Sequence, residues 1–333
     1  MTKRSFFGRL GTHGTLIILV IWSVLPFLWT FQTSIKFTRD VARKEPVLWG
    51  YETTANAYNA FWLDDDEINM WSVLFFIIAI GVGSLILGLI GRRAERGWPF
   101  FFGATAVLAF GLWLFPKVFE VNDEYAFFIN SIIVTALTML ISISIGLLAG
   151  YGLARYTGVS GAIILIVALG FRALPRTAFV LPYYFAAQKL GILDSRLVIV
   201  MALVAINQPF TIWMFRTFFM DVPKEMEEAA MMDGATRLQA FRKIIIPIMW
   251  PGIIATSLFT MLLAYNEFLF VRVLAPTNWT LPVAIVSLTG GESSRTITEA
   301  AAASVSITLP IIIVIVLFQK HLVKGLGAGA VKG

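Results

Sequence analysis

The sequence predicts an all-α integral membrane protein with about eight transmembrane helices. Of its 333 residues, 58% are hydrophobic and only 14% are charged, and the mean hydropathy is +0.81. Soluble domains carry about a quarter charged residues, so this composition is typical of a chain that lies mostly in lipid. Several apolar runs of about 20 residues have the length at which a helix crosses the hydrocarbon core. Helices are favoured because every backbone polar group in lipid needs an internal partner.

The apolar segments divide the chain in order. A short N-terminal segment, 1–14, precedes the first span, whose length favours a retained helix over a cleaved signal peptide. An outer loop and an additional apolar pair occupy 36–126, and 127–319 contains the other spans around a polar stretch at 221–247. A tail at 320–333 ends the chain. The predicted spans are 15–35, 70–90, 98–115, 127–149, 161–185, 196–218, 248–271 and 303–318.

The positions of lysine and arginine predict the orientation of these spans. With a cytoplasmic N-terminus, the basic turn at 91–97, Arg155 and the stretch 221–247 all fall inside. The acidic segments at 64–67 and 120–124 then fall outside. This is the positive-inside distribution of bacterial membrane proteins. We therefore expect both termini and the polar stretch to lie in the cytoplasm.

Composition and motifs exclude several kinds of function. The chain has no cysteine, so it contains neither disulfides nor thiolate metal sites. Its two histidines, His13 and His321, are far apart in the sequence and do not suggest a metal site. A P-loop of the form GxxxxGK[ST] is absent, and no catalytic constellation is recognisable. The net charge of +6 reflects basic cytoplasmic loops rather than nucleic-acid binding. We therefore expect a membrane protein without a metal or cofactor of its own, and not an enzyme.

The stretch 222–251 is the longest polar run in the second half of the chain. Pro223 suits the first turn of a helix, and three glutamates then lie near its positive end. Gly234 is a candidate C-cap, and residues 236–239 fit a capping box that begins a second helix. Pro247 is expected to end or kink that helix. Two short helices with a sharp turn between them are therefore predicted.

The residue spacing in this stretch resembles the EAA loop of the membrane subunits of ABC importers. The matching residues are Glu228-Ala229-Ala230, Gly234, Ile244 and Ile246-Pro247, with Ile246 where the family usually has leucine. The resemblance implies a loop that docks in a cleft of an ATPase subunit. The alternative, a solvated amphipathic loop, explains the charges but not the glycine and proline. The residues implicated in ATPase coupling are Glu227, Glu228, Ala229, Ala230, Asp233, Gly234, Ala235, Ile244 and Pro247.

Other segments are similar to the carbohydrate-importing branch of that family. They are 130–134, 151–155, 190–194, 266–268 and the C-terminal GAVKG. The resemblance implies a maltose-type permease subunit in the cytoplasmic (inner) membrane of a bacterium or archaeon. The implied partners are an ABC ATPase dimer that uses ATP and magnesium, a second permease subunit in a heterodimer, an external solute-binding protein, and membrane lipid. Nucleic acid is not among the expected partners.

The predicted spans exceed the number that such permeases usually have, which is six. The addition is the hydrophobic pair at 70–90 and 98–115, which precedes the core at 127–319. Two added spans leave the orientation of all later segments unchanged. One interpretation is a peripheral hairpin that faces lipid or a partner, and the other is a role in regulation or in binding an extra subunit.

Polar residues inside the spans are the only indication of a solute path. Intramembrane polar and charged residues are often functional, although hydrogen bonds between helices are the commoner explanation for an isolated asparagine or glutamine. Arg176, a second charge in the fifth span, is costly in lipid and is expected to reach an interface or a water-filled path. The candidate solute-path residues are Arg172, Asn207, Gln208, Tyr265, Asn266 and Glu267.

Three other functions stay open at the level of sequence. The first is an ABC importer permease for a non-sugar solute. The second is an ion-driven secondary transporter, which would not explain the spacing from Glu228 to Pro247. The third is a membrane scaffold or sensor that transports nothing.

Overall fold

The described structure is almost entirely helical. It is a computed structural model in which the described residues are 6–45, 47–64, 70–93, 97–156, 158–289 and 294–330. Within these ranges there is no strand, and the β-type pairing consists of two isolated bridges. The all-α prediction is confirmed. These residues group into two compact units, one within 1–126 and 285–306 and the other within 127–284 and 307–333.

The helices follow one another with short connections. In chain order the described helices are α1 (Phe6–Ser34), α2 (Thr38–Val41), α3 (Asn56–Trp62), α4 (Met70–Arg93), α5 (Gly97–Val118), α6 (Asp123–Arg155), α7 (Val159–Ala173), α8 (Thr177–Leu190), α9 (Arg196–Met220), α10 (Glu225–Met232), α11 (Arg237–Ala240), α12 (Ile246–Tyr265), α13 (Leu269–Leu274), α14 (Leu281–Thr289) and α15 (Ser294–Ala330). A π-helical turn, Phe241–Ile245, joins α11 to α12.

Among the described residues, six helices are long and apolar enough to cross a membrane. The number becomes seven if the bent pair α7–α8 counts as one span. The predicted span at 98–115 coincides with α5. The apolar part of α5, Phe102–Val118, is shorter than the 18 residues required of a candidate span. The count of eight spans therefore stays a prediction.

The predicted fifth span at 161–185 is not one continuous helix, so that prediction is wrong. Two helices, α7 and α8, replace it, and their axes differ by 96°. Leu174 lies between them with φ −67° and ψ 150°. The next residue is Pro175, whose ring disfavours the helical conformation of the residue before it. The chain therefore breaks where a proline follows the last helical turn, inside an otherwise apolar segment.

Two later boundaries also differ from the predictions. The seventh span ends at Tyr265 rather than at 271, because Asn266 and Glu267 form a turn before α13. The eighth span belongs to the much longer α15, which continues to Ala330. The segment 320–333 was predicted to be a separate tail, but its backbone is helical as far as the described residues extend.

In the first unit, α4 and α5 pack directly on each other. Gly111 permits the contact, because a Cβ atom there would lie 2.5 Å from Cγ2 of Ile80. The hydroxyl of Ser84 donates a hydrogen bond to the carbonyl of Ala104 at 3.1 Å. The side-chain amide of Asn122 donates to the carbonyls of Ala60 and Leu63, at 2.9 Å each. The additional hairpin and the outer segment are thus organised by specific contacts within this unit.

In the second unit, α6 and α9 approach closely where α6 carries glycine. A Cβ atom on Gly150 would lie 2.6 Å from Cβ of Phe215 and 2.9 Å from the backbone nitrogen of Arg216. Phe215 and Phe219 are fully buried on the facing side of α9. Small residues let membrane helices pack at short range, where van der Waals contact replaces the missing hydrophobic force.

Asp194 joins two loops of the same unit. Its carboxylate accepts hydrogen bonds from the backbone nitrogens of Thr277 and Asn278, at 2.9 Å each. Burial acts to raise the pKa of Asp194, but the hydrogen bond from the hydroxyl of Thr277, together with those from the backbone, outweighs it and leaves the pKa below its usual value. The 190–194 motif found in the sequence therefore holds the turn before α9 against the loop before α14.

Replacement of Gly150 by alanine should weaken the contact between α6 and α9. The added methyl group meets backbone atoms, so we expect the free energy of unfolding to fall by about 1–3 kcal/mol. Gly152→Ala is the matched control on the same helix, because nothing lies within 4 Å of a Cβ atom there. That control should be neutral or gain up to about 1 kcal/mol from helix propensity. Unfolding in detergent, followed by tryptophan fluorescence, measures both; equal losses in the two variants would contradict the close approach.

Candidate functional site

The polar stretch folds as two short helices joined by a left-handed turn, as predicted. Gly234 has φ +89°, a conformation that glycine adopts without strain. Its N–H donates to the carbonyl of Met231, and the N–H of Ala235 donates to that of Ala230, both at 3.0 Å. This pair of bonds is the Schellman motif, which satisfies the last carbonyls of α10. The sharp turn therefore lies immediately after Asp233.

The second helix begins with the predicted capping box. The N–H of Gln239 donates to the hydroxyl of Thr236 at 3.3 Å, and the N–H of Thr236 donates to the side chain of Gln239 at 2.8 Å. The predicted end or kink at Pro247 takes another form. The helix α11 ends at Ala240, the π-helical turn Phe241–Ile245 follows, and Pro247 lies in the first turn of α12, where its missing N–H is not needed.

Glu227 is a charged residue of the polar stretch whose side chain is buried. It is only 5% exposed, and its carboxylate accepts a hydrogen bond from the hydroxyl of Tyr151. Nε of Arg155 donates to the other carboxylate oxygen at 3.1 Å. A further guanidinium nitrogen of Arg155 donates to the carbonyls of Phe219 and Val222, at 3.2 Å each. The cluster of Glu227, Arg155 and Tyr151 thus joins the end of α6, the end of α9 and α10.

The remaining coupling candidates divide by exposure. Ala230 is buried, and Ala235 and Ile244 are half-buried. Large apolar side chains of α10 and α11 are exposed as well: Met232 is 88% exposed, and Met226 and Leu238 are also exposed. Exposed apolar groups beside charges are typical of a surface that binds another protein. The exposed coupling candidates are Glu228, Ala229, Asp233, Gly234 and Pro247.

The solute-path candidates do not form one cluster. The hydroxyl of Tyr265 donates to the carbonyl of Ile307 at 3.3 Å, and the amide of Asn266 donates to Leu262 within its own helix at 2.9 Å. The amide of Gln208 donates to the carbonyl of Ser142 on α6 at 3.3 Å. The bonds of Tyr265 and Gln208 join neighbouring helices, and the bond of Asn266 is local. They therefore agree with the interpretation that these polar residues stabilise helix packing.

Arg176 and Glu267 form an ion pair beside the break between α7 and α8. A guanidinium nitrogen of Arg176 donates to the carboxylate of Glu267, which is 3% exposed. The other carboxylate oxygen accepts from the N–H of Phe270 at 3.3 Å. Sequence reasoning singled out both charges but not their pairing, because they are far apart in the chain. The charge of Arg176 is therefore compensated within the fold.

A cavity of about 230 Å³ opens beside this ion pair. Arg172 lines it together with Arg176, and the aromatic side chains of Phe179, Tyr183 and Phe270 form much of its wall. Asn207 is buried on α9, next to residues that also line the cavity. Among the described residues, no group of three or more histidines, aspartates or glutamates is placed to hold a metal ion.

The loop and the cavity both lie within the part of the chain that matches a known protein family. The family described as "Binding-protein-dependent transport system inner membrane component" matches residues 142–327. The "Diacetylchitobiose uptake system permease protein DasC" of Streptomyces coelicolor is 29% identical over 99% of this chain and 100% of its own length. The "Trehalose/maltose transport system permease protein MalG" of Thermococcus litoralis is 34% identical over 62% of this chain and 76% of its own length.

A solved structure has a similar fold. It is described as a bacterial ABC transporter involved in the import of the acidic polysaccharide alginate. The TM-score is 0.65 at 20% sequence identity, over 96% of this chain and 99% of that one. A match of that extent includes most of α4 and α5. The additional hairpin therefore has a counterpart in that fold and is not peculiar to this chain.

Removal of the carboxylate of Glu227 should be far more damaging than removal of the neighbouring one. Glu227→Ala leaves the guanidinium of Arg155 buried without its partner, a change that typically costs about 3–5 kcal/mol of stability. Glu228→Ala removes an exposed charge from the same helix and should change stability by no more than about 0.5 kcal/mol. Unfolding midpoints of the two purified variants test this difference. Similar midpoints would show that the buried cluster does not hold the loop.

Proposed function

Because this chain belongs to the family of inner-membrane components of binding-protein-dependent transport systems, we propose that it is the permease subunit of an ATP-driven ABC importer for a sugar or sugar derivative. The observation that carries the carbohydrate assignment is the similarity along the whole chain to a permease named for diacetylchitobiose uptake. Relatives named for trehalose and maltose transport support it. The chain supplies the path through the membrane, and separate subunits supply energy and selectivity.

We propose that an ATPase subunit docks on the loop formed by α10, the turn at Gly234 and α11. The exposed Glu228 offers an ionic contact, and the exposed Met232 and Leu238 offer apolar area around it. Ala229 allows close approach of a partner because its side chain is small. A charged residue surrounded by apolar contacts that exclude water is the usual arrangement at the centre of a binding site.

Movement of the docked loop would reach the membrane helices through the buried cluster. Glu227 on α10 is bound to Arg155 and Tyr151 at the cytoplasmic end of α6, as oriented by the charge distribution. Arg155 is in turn bound to the two carbonyls at the end of α9. Displacement of α10 therefore pulls on two long helices at once. Such rigid-body motion is the basis of alternating access around a fixed solute site.

The proposed assembly follows from the family. Two ATPase subunits bind ATP and magnesium, a second permease subunit completes the membrane path, and an external binding protein delivers the solute. The binding protein would dock on the outer loops, including the segment 278–300. We place the chain in the cytoplasmic membrane of a bacterium or archaeon, with both termini in the cytoplasm, because its basic loops then lie inside.

The docking surface can be tested by changing its exposed face. Glu228→Lys combined with Met232→Asp should reduce association with the ATPase subunits at least about tenfold, because it reverses the charge and removes apolar area. The matched control is Lys189→Glu, a charge reversal at an exposed site in the last turn of α8. Co-elution of purified subunits in size-exclusion chromatography measures association. Unchanged co-elution of the double variant would place the ATPase elsewhere.

The transport function can be tested with the whole complex. The chain is purified with its permease partner, the ATPases and the binding protein, and is reconstituted in liposomes. ATP hydrolysis should rise when a sugar is supplied, tested with the neutral diacetylchitobiose, trehalose and maltose and with the acidic glucuronate, and not with an amino acid or phosphate. A complex that contains no ATPase would overturn the importer assignment. Stimulation by the amino acid or phosphate alone would instead overturn the carbohydrate assignment.

A further inference from the structure

The cavity beside the break between α7 and α8 lies about midway along the candidate membrane span α9. Its walls include Pro209, which is about midway along α9. Arg172 lies near the end of the 15-residue helix α7, roughly 20 Å of helical rise from Val159. The guanidinium is thus remote from the cytoplasmic end of its helix. Solute sites of membrane transporters commonly lie at this depth, next to discontinuous helices.

The charges around the cavity do not balance. Arg176 is paired with the buried carboxylate of Glu267, which accounts for one positive and one negative charge. Arg172 also lines the cavity, and among the residues that the structure describes no carboxylate pairs with it. Its Nη1 atom is buried without a hydrogen-bond partner. One positive charge, on a half-buried side chain, is therefore left uncompensated beside the cavity.

The aromatic surroundings compensate that charge only in part. The guanidinium of Arg172 lies 4.7 Å from the ring centre of Phe210. A cation–π contact of this kind contributes about 0.5–2 kcal/mol, whereas a central arginine costs at least about 2.5–3.5 kcal/mol in the bilayer. Nη1 keeps its full capacity to donate a hydrogen bond. An anionic acceptor would satisfy both the charge and the donor.

We propose that this cavity binds the anionic group of an acidic saccharide during its passage through the membrane. Arg172 donates to the carboxylate or sulfonate, and the rings of Phe171, Phe179 and Tyr183 pack against the apolar faces of the sugar. This assignment rests on the proposed function and specifies its substrate class. The Arg176–Glu267 pair holds the neighbouring α8 in place and does not itself need the solute.

The size of the cavity limits what it holds. At about 230 Å³ it is smaller than the roughly 300–1,000 Å³ of sites that enclose a whole drug-sized ligand. It therefore accommodates one acidic sugar unit rather than a complete oligosaccharide. An uncharged sugar unit would accept a hydrogen bond from Arg172 but would leave its charge uncompensated. The preference for an acidic unit is thus an electrostatic one.

The experiment measures ligand binding to the complete permease–ATPase complex in nanodiscs by isothermal titration calorimetry. The probes are glucuronate, its neutral counterpart glucose, and the sulfonated sugar sulfoquinovose. Glucuronate should bind about tenfold more tightly than glucose, as expected for a charge-assisted hydrogen bond in a dry site. The sulfoquinovose arm decides whether the site prefers a carboxylate or a sulfonate. Equal binding of glucuronate, sulfoquinovose and glucose to the unaltered complex would overturn the proposal.

Variants of Arg172 identify the group responsible. Arg172→Gln should remove the preference for glucuronate while glucose binding is kept, and Arg172→Lys should retain most of the preference because the charge remains. Persistence of the preference in Arg172→Gln would overturn the assignment. Since the comparison of glucuronate with glucose in the unaltered complex needs no variant, a variant that fails to fold does not decide the result.

Failure of this proposal can be told apart from failure of the proposed function. In the liposome assay, ATP hydrolysis stimulated by neutral sugars only would overturn the acidic-sugar site and leave the carbohydrate importer intact. No stimulation by any sugar, neutral or acidic, would overturn the proposed function and this inference with it. Stimulation by an acidic sugar that is lost in Arg172→Gln would support both.

Discussion

The buried ion pair between Glu227 and Arg155 is the interaction on which the position of α10 in the second unit depends. Neither charge is stable there alone, because desolvation of a lone ion costs several kcal/mol. The hydroxyl of Tyr151 and the backbone carbonyls that end α9 complete the cluster, in which both carboxylate oxygens of Glu227 and two of the three guanidinium nitrogens of Arg155 have partners. A polar loop that would otherwise be loosely attached is thereby held against two long helices, and its position becomes a property of the whole bundle.

The same constraint acts at the break between α7 and α8. Pro175 interrupts the helix, and Arg176 and Glu267 compensate each other beside the interruption. Backbone that is not helical is tolerated at membrane depth only where it is buried in protein or lines a cavity. The break, the ion pair and the cavity are therefore one structural feature. Arg172 differs from its neighbour in having no carboxylate assigned to it among the described residues, which makes it the chemically distinctive group of the cavity.

The loop formed by α10 and α11 and the cavity beside α7 and α8 are two separate sites of the second unit. In the loop formed by α10 and α11, Glu228 and Met232 are exposed whereas Glu227 is buried, so adjacent glutamates lie on opposite faces of one helix. The cavity is lined about midway along α9, whereas the loop contacts the end of that helix. The first unit, with its hairpin of α4 and α5, contains neither site. Its internal contacts organise that hairpin and the outer segment.

The sequence by itself determined what depends on neighbouring residues. The turn at Gly234 and the capping box of Thr236 and Gln239 were predictable because their hydrogen bonds span only a few residues. The all-α class followed from composition and from the length of the apolar runs. Tertiary structure alone decided that Glu227 faces Arg155 and that Arg176 meets Glu267, since those partners are distant in the chain. Packing against distant helices, which no local pattern encodes, determines which of the equivalent charges is buried and which stays free to bind.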